Sequence, residues 1–229
     1  MPSGSVEFLS KCVKPSRVFL SRILDFMRAL PNRGKFPITS DLRADLFWWS
    51  RFMPSYNGIS LIPKPHWSQV DGILATDACP TGCGGGNLLT RQFFHVQFPD
   101  SVLRQNWHIN ELELMAIMVA IKLWGSHLAG ERLRMYCDNT VAVAAMNQAR
   151  VRNGNLQKCM REIAYWLARH ECELYTLHIE GVHNRLPDML SRWHLEDRYR
   201  LEFLGHNNVE RLHECIVPEE LFGFTAEWC

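Results

Sequence analysis

Ile73-Leu74-Ala75-Thr76-Asp77 is a short apolar run closed by a carboxylate. A glycine-rich stretch follows it, Gly82-Cys83-Gly84-Gly85-Gly86, and then come Asn87-Leu88-Leu89 and Phe93 to Phe98. The apolar run suits a buried strand that ends at Asp77. The glycines read as a turn, because residues without a Cβ are the default where the chain reverses. The two segments after them read as further strands of a meander. Downstream, residues 110–127 carry a long helical pattern, 132–137 read as a strand and 139–148 as a helix. Residues 156–168 read as another helix, 173–179 as a strand and 185–193 as a short final helix. Three strands followed by alternating helices and strands predict an α/β fold, a mixed five-stranded sheet with helices on both faces.

The sixty residues upstream have a different texture. Pro15 can open a helix whose apolar positions Val18, Phe19, Ile23, Leu24 and Met27 recur at helical spacing, before Pro31 and Gly34 interrupt it. Ser40 is placed to cap a second helix with Leu42, Leu46 and Trp49 on one face, stopping near Pro54. Asn57-Gly58, Pro63 and Pro65 then mark a loop. The chain therefore divides into a helical segment, 1–65, an α/β domain, 66–195, and a less regular tail or linker, 196–229.

Of the 229 residues, 47% are hydrophobic and 21% charged, which supports a packed core and excludes a mainly disordered chain. Twenty-five Lys and Arg stand against twenty-four Asp and Glu, so total charge argues against a strongly basic nucleic-acid binder. The most basic stretch holds Arg150, Arg152 and Lys158, with Gln148 and Gln157 beside them, and could meet phosphates. The eight cysteines form no CxxC pair and no zinc-finger spacing. They read as reduced thiols of an intracellular chain, in cytoplasm or nucleus, with no signal peptide and no membrane-spanning apolar run. The eight tryptophans fall at core-compatible spacing rather than as stacking platforms.

Four acidic residues sit where chemistry would want them. Asp77 and Asp138 each end an apolar strand, which places them at the carboxyl edge of a buried sheet, where α/β proteins build their sites. Glu113 lies within an otherwise apolar helix, and Asp188 follows Pro187 at the start of the last one. A single such residue is usually a turn former or a cap. Four around one sheet are different, because clustered carboxylates resist ionisation unless a cation joins them. Hard oxygen donors select Mg²⁺ or Mn²⁺ over zinc, and two such ions can activate water and stabilise a leaving oxygen. The residues alone thus point to metal-dependent phosphoryl chemistry.

Thr76-Asp77-Ala78, Glu113-Leu114-Met115-Ala116-Ile117, Asp138-Asn139 and His178-x5-Asn184-x3-Asp188-x-Leu190-Ser191-Arg192 resemble, in that order, the type 1 ribonuclease H domain of retroelement reverse transcriptases. The resemblance covers about residues 68–195. Its wording is nearest to DIRS-like retrotransposon polyproteins, as in Ile109-Asn110-Glu111-Leu112-Glu113-Leu114 and Trp48-Trp49-x6-Tyr56-Asn57-Gly58. The upstream helices resemble the end of such a polyprotein's polymerase part. The resemblance implies hydrolysis of the RNA strand in RNA/DNA hybrids by two Mg²⁺ ions, which Mn²⁺ can replace. It implies a metal site of Asp77, Glu113, Asp138 and Asp188, with Asp77 between the ions. It gives His178 a part in proton transfer or product release and Asn184 a part in supporting the substrate or a loop.

Glu111 competes with Glu113. Two residues apart on a helix they point about 200° away from one another, so only one can reach the ions. Helical spacing does not choose between them; the family's Glu-Leu-x-Ala pattern selects Glu113. Cys79 stands where the family more often has serine. For a hybrid, read by shape and by its 2′-hydroxyls, the candidate contacts are Gly84 in the glycine run, Asn110, Asn139 and Asn184. The alternative from another class is a catalytically silent module that only binds nucleic acid or a polymerase partner. Four retained, mutually repelling carboxylates argue against it.

Overall fold

The computed structural model describes residues 18–30, 34–55, 72–148, 153–207 and 209–225. Pro15, Asn57-Gly58, Pro63, Pro65, the boundary near residue 65, Arg150 and Arg152 lie outside the described residues. Among the described residues two helices, α1 (Ser21–Ala29) and α2 (Ser40–Phe52), precede the sheet. Strands β1 (Gly72–Cys79), β2 (Gly82–Asn87) and β3 (Gln92–Gln97) follow, then α3 (Asp100–Leu103) and the long α4 (Ile109–Trp124). After them come β4 (Arg132–Cys137), α5 (Thr140–Gln148), α6 (Gly154–Arg169), β5 (Glu173–His178) and α7 (Arg185–Ser191). Helix α8 (Asp197–Leu204) and the two-residue β6 (His213–Glu214) complete the order.

The sheet runs β5-β4-β1-β2-β3-β6. β1, β2 and β3 pair antiparallel, and β1, β4 and β5 pair parallel. That is the mixed α/β sheet expected, with six strands in place of five. β6 joins β3 in parallel through Gln92–His213 and Phe93–Glu214. The chain after Trp193, expected to be irregular, is therefore a helix and an edge strand. A two-residue strand carries too little alternation to show in sequence.

The sheet is covered on both faces. Successive strand residues point to opposite sides, and the neighbours Phe93 and Phe94 belong to two different apolar clusters. Phe94 lies with α4, α6 and the N-terminal helices; Phe93 lies with Met189 and Leu190 of α7 and Phe203 of α8. The described N-terminal helices share the larger core. Phe19 stacks on Trp48 at 4.1 Å, Trp48 on Phe52 at 4.8 Å, and Trp49 Nε1 donates to the Phe19 carbonyl.

Three local readings change. Thr39, rather than Ser40, caps α2, its Oγ1 accepting from the Leu42 amide at 3.2 Å. Leu46 is exposed, and the buried face of α2 is Leu42, Asp45, Trp48, Trp49 and Phe52. An aspartate in the middle of a helix reads as solvent-facing unless its partner is known. The third change is at the glycines. Gly82–Asn87 is itself a strand, and the reversal falls at Pro80-Thr81. Glycine carries no side chain to alternate, so the run gives no period-2 signal.

Candidate active site

Gly84 pairs with Asp77 across β1 and β2. Directly opposed residues in an antiparallel pair face the same side, so the missing side chain of Gly84 leaves room beside Asp77. Helix α7 takes that room. A Cβ at Gly84 would stand 2.4 Å from Leu190 Cβ and 2.6 Å from the Leu190 carbonyl carbon. Gly84 is thus buried under α7. The close approach lets Ser191 Oγ donate to Asp77 Oδ2 at 2.5 Å, while the same oxygen bonds the Asp188 carbonyl at 2.9 Å.

Asp77 enters from the α7 face, and Glu113 enters from α4 on the other. At the carboxyl end of β4, Glu113 Oε2, Cys137 Sγ and an Asp138 oxygen all lie within 4.8 Å of one another. The Cys137 thiol donates to Glu113 Oε2 at 3.8 Å. Asp188, half-buried on α7, pairs with Arg192 one turn later at 2.9 Å. The electrostatics are those of a crowded anionic site. Burial, with Asp77 and Asp138 adding to it, pushes the Glu113 carboxyl up to about 9. Burial pushes Asp77 up to about 7; the Ser191 hydroxyl opposes this, and Asp138 and Asp188 reinforce it. Burial also raises Asp138, with Asp188 adding to it. A cation beside them would favour the charged form of each.

Glu111 has another use. Its Oε2 accepts from the His108 amide at 2.8 Å and its Oε1 from Asn155 Nδ2 at 3.3 Å, while His108 Nδ1 accepts from the Asn110 amide. It is the reciprocal cap of α4, and Glu113 alone of the two reaches the cluster. Asn139 caps α5, its Oδ1 accepting from the amides of Val141 and Ala142, and its Nδ2 donates to Asn110 Oδ1 at 2.9 Å. This half-buried amide pair sits beside Asp138. Asn184 is buried and donates to the Thr76 carbonyl at 3.1 Å, tying the turn before α7 to the end of β1. His178 is exposed at the end of β5, with Nε2 3.1 Å from the Asp138 carbonyl.

Cys79 is buried, and its thiol donates to the Ser191 carbonyl at 3.1 Å. Ser191 and Arg192 stand in the motif quoted for the last helix but carried no assigned role. Their positions three and four residues after Asp188, on the same helical face, were the available signal. None of the described cysteines, Cys79, Cys83, Cys137, Cys159, Cys172 and Cys215, forms a disulfide. Gln148 is exposed and Gln157 and Lys158 are half-buried.

Among the described residues no helix is long and apolar enough to cross a membrane. Among curated proteins no relative matches the chain. The solved structure of LC11-RNase H1, isolated from compost by a metagenomic approach, is similar over 53% of this chain and 93% of that one, at 19% identity and a TM-score of 0.42. Residues 70–166, which include Asp77, Glu113 and Asp138 and stop short of Asp188, match the model of the RNase H-like domain found in reverse transcriptase.

Proposed function

We propose that this chain is a metal-dependent endonuclease that hydrolyses the RNA strand of RNA/DNA hybrids, working intracellularly beside the polymerase part of a retroelement reverse transcriptase. The observation that carries this reading is the cluster of Asp77, Glu113 and Asp138, two of them buried and raised toward neutrality, at the carboxyl edge of β1 and β4. A fold does not keep mutually repelling carboxylates for stability. Their donor set suits Mg²⁺ or Mn²⁺. Asp77, Glu113, Asp138 and Asp188 would hold two such ions, which when bound would lower the pKa of water and stabilise the leaving oxygen.

The chain's own residues supply the rest. Ser191 fixes the rotamer of Asp77 by donating to one of its oxygens, leaving the other for an ion. Asn184 holds the β5–α7 turn against β1, and with it the position of Asp188. The Asn110–Asn139 pair presents amide groups beside Asp138, suited to the 2′-hydroxyls that distinguish RNA from DNA. His178 donates Nε2–H to the Asp138 carbonyl, so Nδ1 is the nitrogen left to take a proton from the site.

The test is cleavage of a labelled RNA/DNA hybrid by the full chain in Mg²⁺, alongside double-stranded RNA and DNA of the same sequence. The hybrid alone should be cut, and Asp77→Asn should lower the rate by more than about a hundredfold, beyond what loss of a ligand's supporting partner does. Near-normal cleavage by Asp77→Asn would sink the assignment.

A further inference from the structure

Arg192 stands beside the carboxylates, at the C-cap of α7. It pairs with Asp188 at 2.9 Å, and its charge also reaches Asp77 and Asp138, where it opposes the rise that burial causes. Yet the pair is open to solvent, with the two side chains 41% and 36% exposed. An exposed pair one turn apart on a helix is weak and exchanges partners easily. On its other side the guanidinium lies 5.9 Å from the Tyr199 ring and bonds that side chain. Tyr199 is itself gripped by Arg198, whose Nη2 donates to the Tyr199 hydroxyl at 2.8 Å with its guanidinium 4.7 Å from the ring. Tyr199 belongs to α8, which Phe203 fastens to Phe93 at 4.9 Å and Trp193 at 5.6 Å. A helix outside residues 70–166 thus holds Arg192 at the rim of the carboxylate cluster.

We propose that Arg192 is a phosphate-binding residue that changes partners: it pairs with Asp188 in the free protein and turns to a substrate phosphate when cations neutralise Asp188. The inference deepens the nuclease reading and rests on it for the place of the ions. Cation binding at Asp188 removes the charge that holds the guanidinium there. A nucleic-acid backbone arriving at the same edge offers two oxygens in the planar geometry that Arg matches best. Tyr199 keeps the freed guanidinium at the rim, so little of its side-chain freedom is left to lose.

Arg192→Gln and Arg192→Lys test this in the full chain. Hybrid affinity is measured in Mg²⁺ over a range of salt, in a Glu113→Gln background so that the hybrid stays whole. Mn²⁺ affinity is measured by calorimetry without nucleic acid, and melting temperature is recorded for each variant. Arg192→Gln should weaken hybrid binding about tenfold and flatten the slope of log K against log salt by roughly one, the signature of one lost phosphate contact. Arg192→Lys should restore the slope and part of the affinity, and Mn²⁺ should bind as tightly as before or tighter. An unchanged hybrid affinity and slope, with weaker Mn²⁺ binding, would mean that Arg192 only holds Asp188 and would overturn the proposal. A lower melting temperature with all functions falling together would overturn it too. If the wild type fails to cut hybrids while the slope still depends on Arg192, the nuclease reading fails and the phosphate contact stands.

Discussion

Glu113 is a carboxyl 4% exposed, raised from an ordinary 4.5 to about 9, on a helix whose other buried residues, apart from the capping Glu111, are apolar. It binds its proton more tightly folded than unfolded, so the stability it contributes is complete below about 4.5 and is lost as pH climbs toward 9. In chelator the melting temperature should therefore fall between pH 7 and 9, by roughly 2–4 °C for each kcal/mol lost. Mg²⁺ should flatten that fall. Glu113→Gln, an isosteric and permanently neutral side chain, should abolish cleavage, and in chelator it should melt above wild type by a margin that widens with pH. Glu111→Gln should cut hybrids nearly normally, because Glu111 closes the helix cap rather than the ion site. Melting curves at three pH values and one cleavage assay decide the pair, and the reverse result would exchange the two roles.

At the scale of elements, the approach of α7 to β2 sets the site. Gly84 lies under the backbone of Leu190, and the atoms a Cβ would meet are backbone or the base of a side chain, with little room to give. Gly84→Ala should push α7 away and carry Asp188, Ser191 and Arg192 with it. The expected cost is about 1–3 kcal/mol of stability, the range for overpacking, together with a loss of cleavage larger than the destabilisation explains. Urea unfolding compared with cleavage rate at a temperature where the variant is fully folded separates the two effects. Gly86→Ala is the control, since a Cβ there meets only the Gln92 carbonyl at 3.9 Å; equal losses from both changes would refute the account.

Across the molecule, two neighbouring residues of α6 clasp the pieces outside the sheet. Arg161 pairs with Asp45 of α2 at 2.5 Å, both fully buried, and its guanidinium lies 5.2 Å from the Phe19 ring. Glu162 accepts from the Thr225 amide and pairs with Lys122, whose ammonium also donates to the Gly223 carbonyl. Burial raises Asp45 to about 6 even against Arg161. Removing one partner of such a pair strands the other charge. Asp45→Leu should therefore cost about 3–5 kcal/mol, and Asp45→Leu with Arg161→Met should recover most of that loss. Denaturant midpoints of the three chains give the answer; a double variant no better than the single one would show that the pair's worth lies elsewhere.

The sequence by itself determined the parts that local pattern encodes. The apolar runs before Asp77 and Asp138 are strands, although β1 runs on past Asp77 to Cys79, and helical periodicity marks α4, α6 and α7, because each is a repeat of side chains along one element. The choice of Glu113 over Glu111 needed the family's wording, since both have apolar neighbours and the helix phase is silent. Only the tertiary structure decided between the competing local meanings. The glycines became a strand because a helix had to lie on them, which no property of glycine itself announces. Glu111 became a cap because His108 and Asn155 come within reach of it, and Asp45 became a buried residue because Arg161, 116 positions away, meets it. The tail became an edge strand and the support of Arg192 because β3 and Trp193 were there to receive it. Partners distant along the chain decide such questions, and a window of sequence contains only one member of each pair.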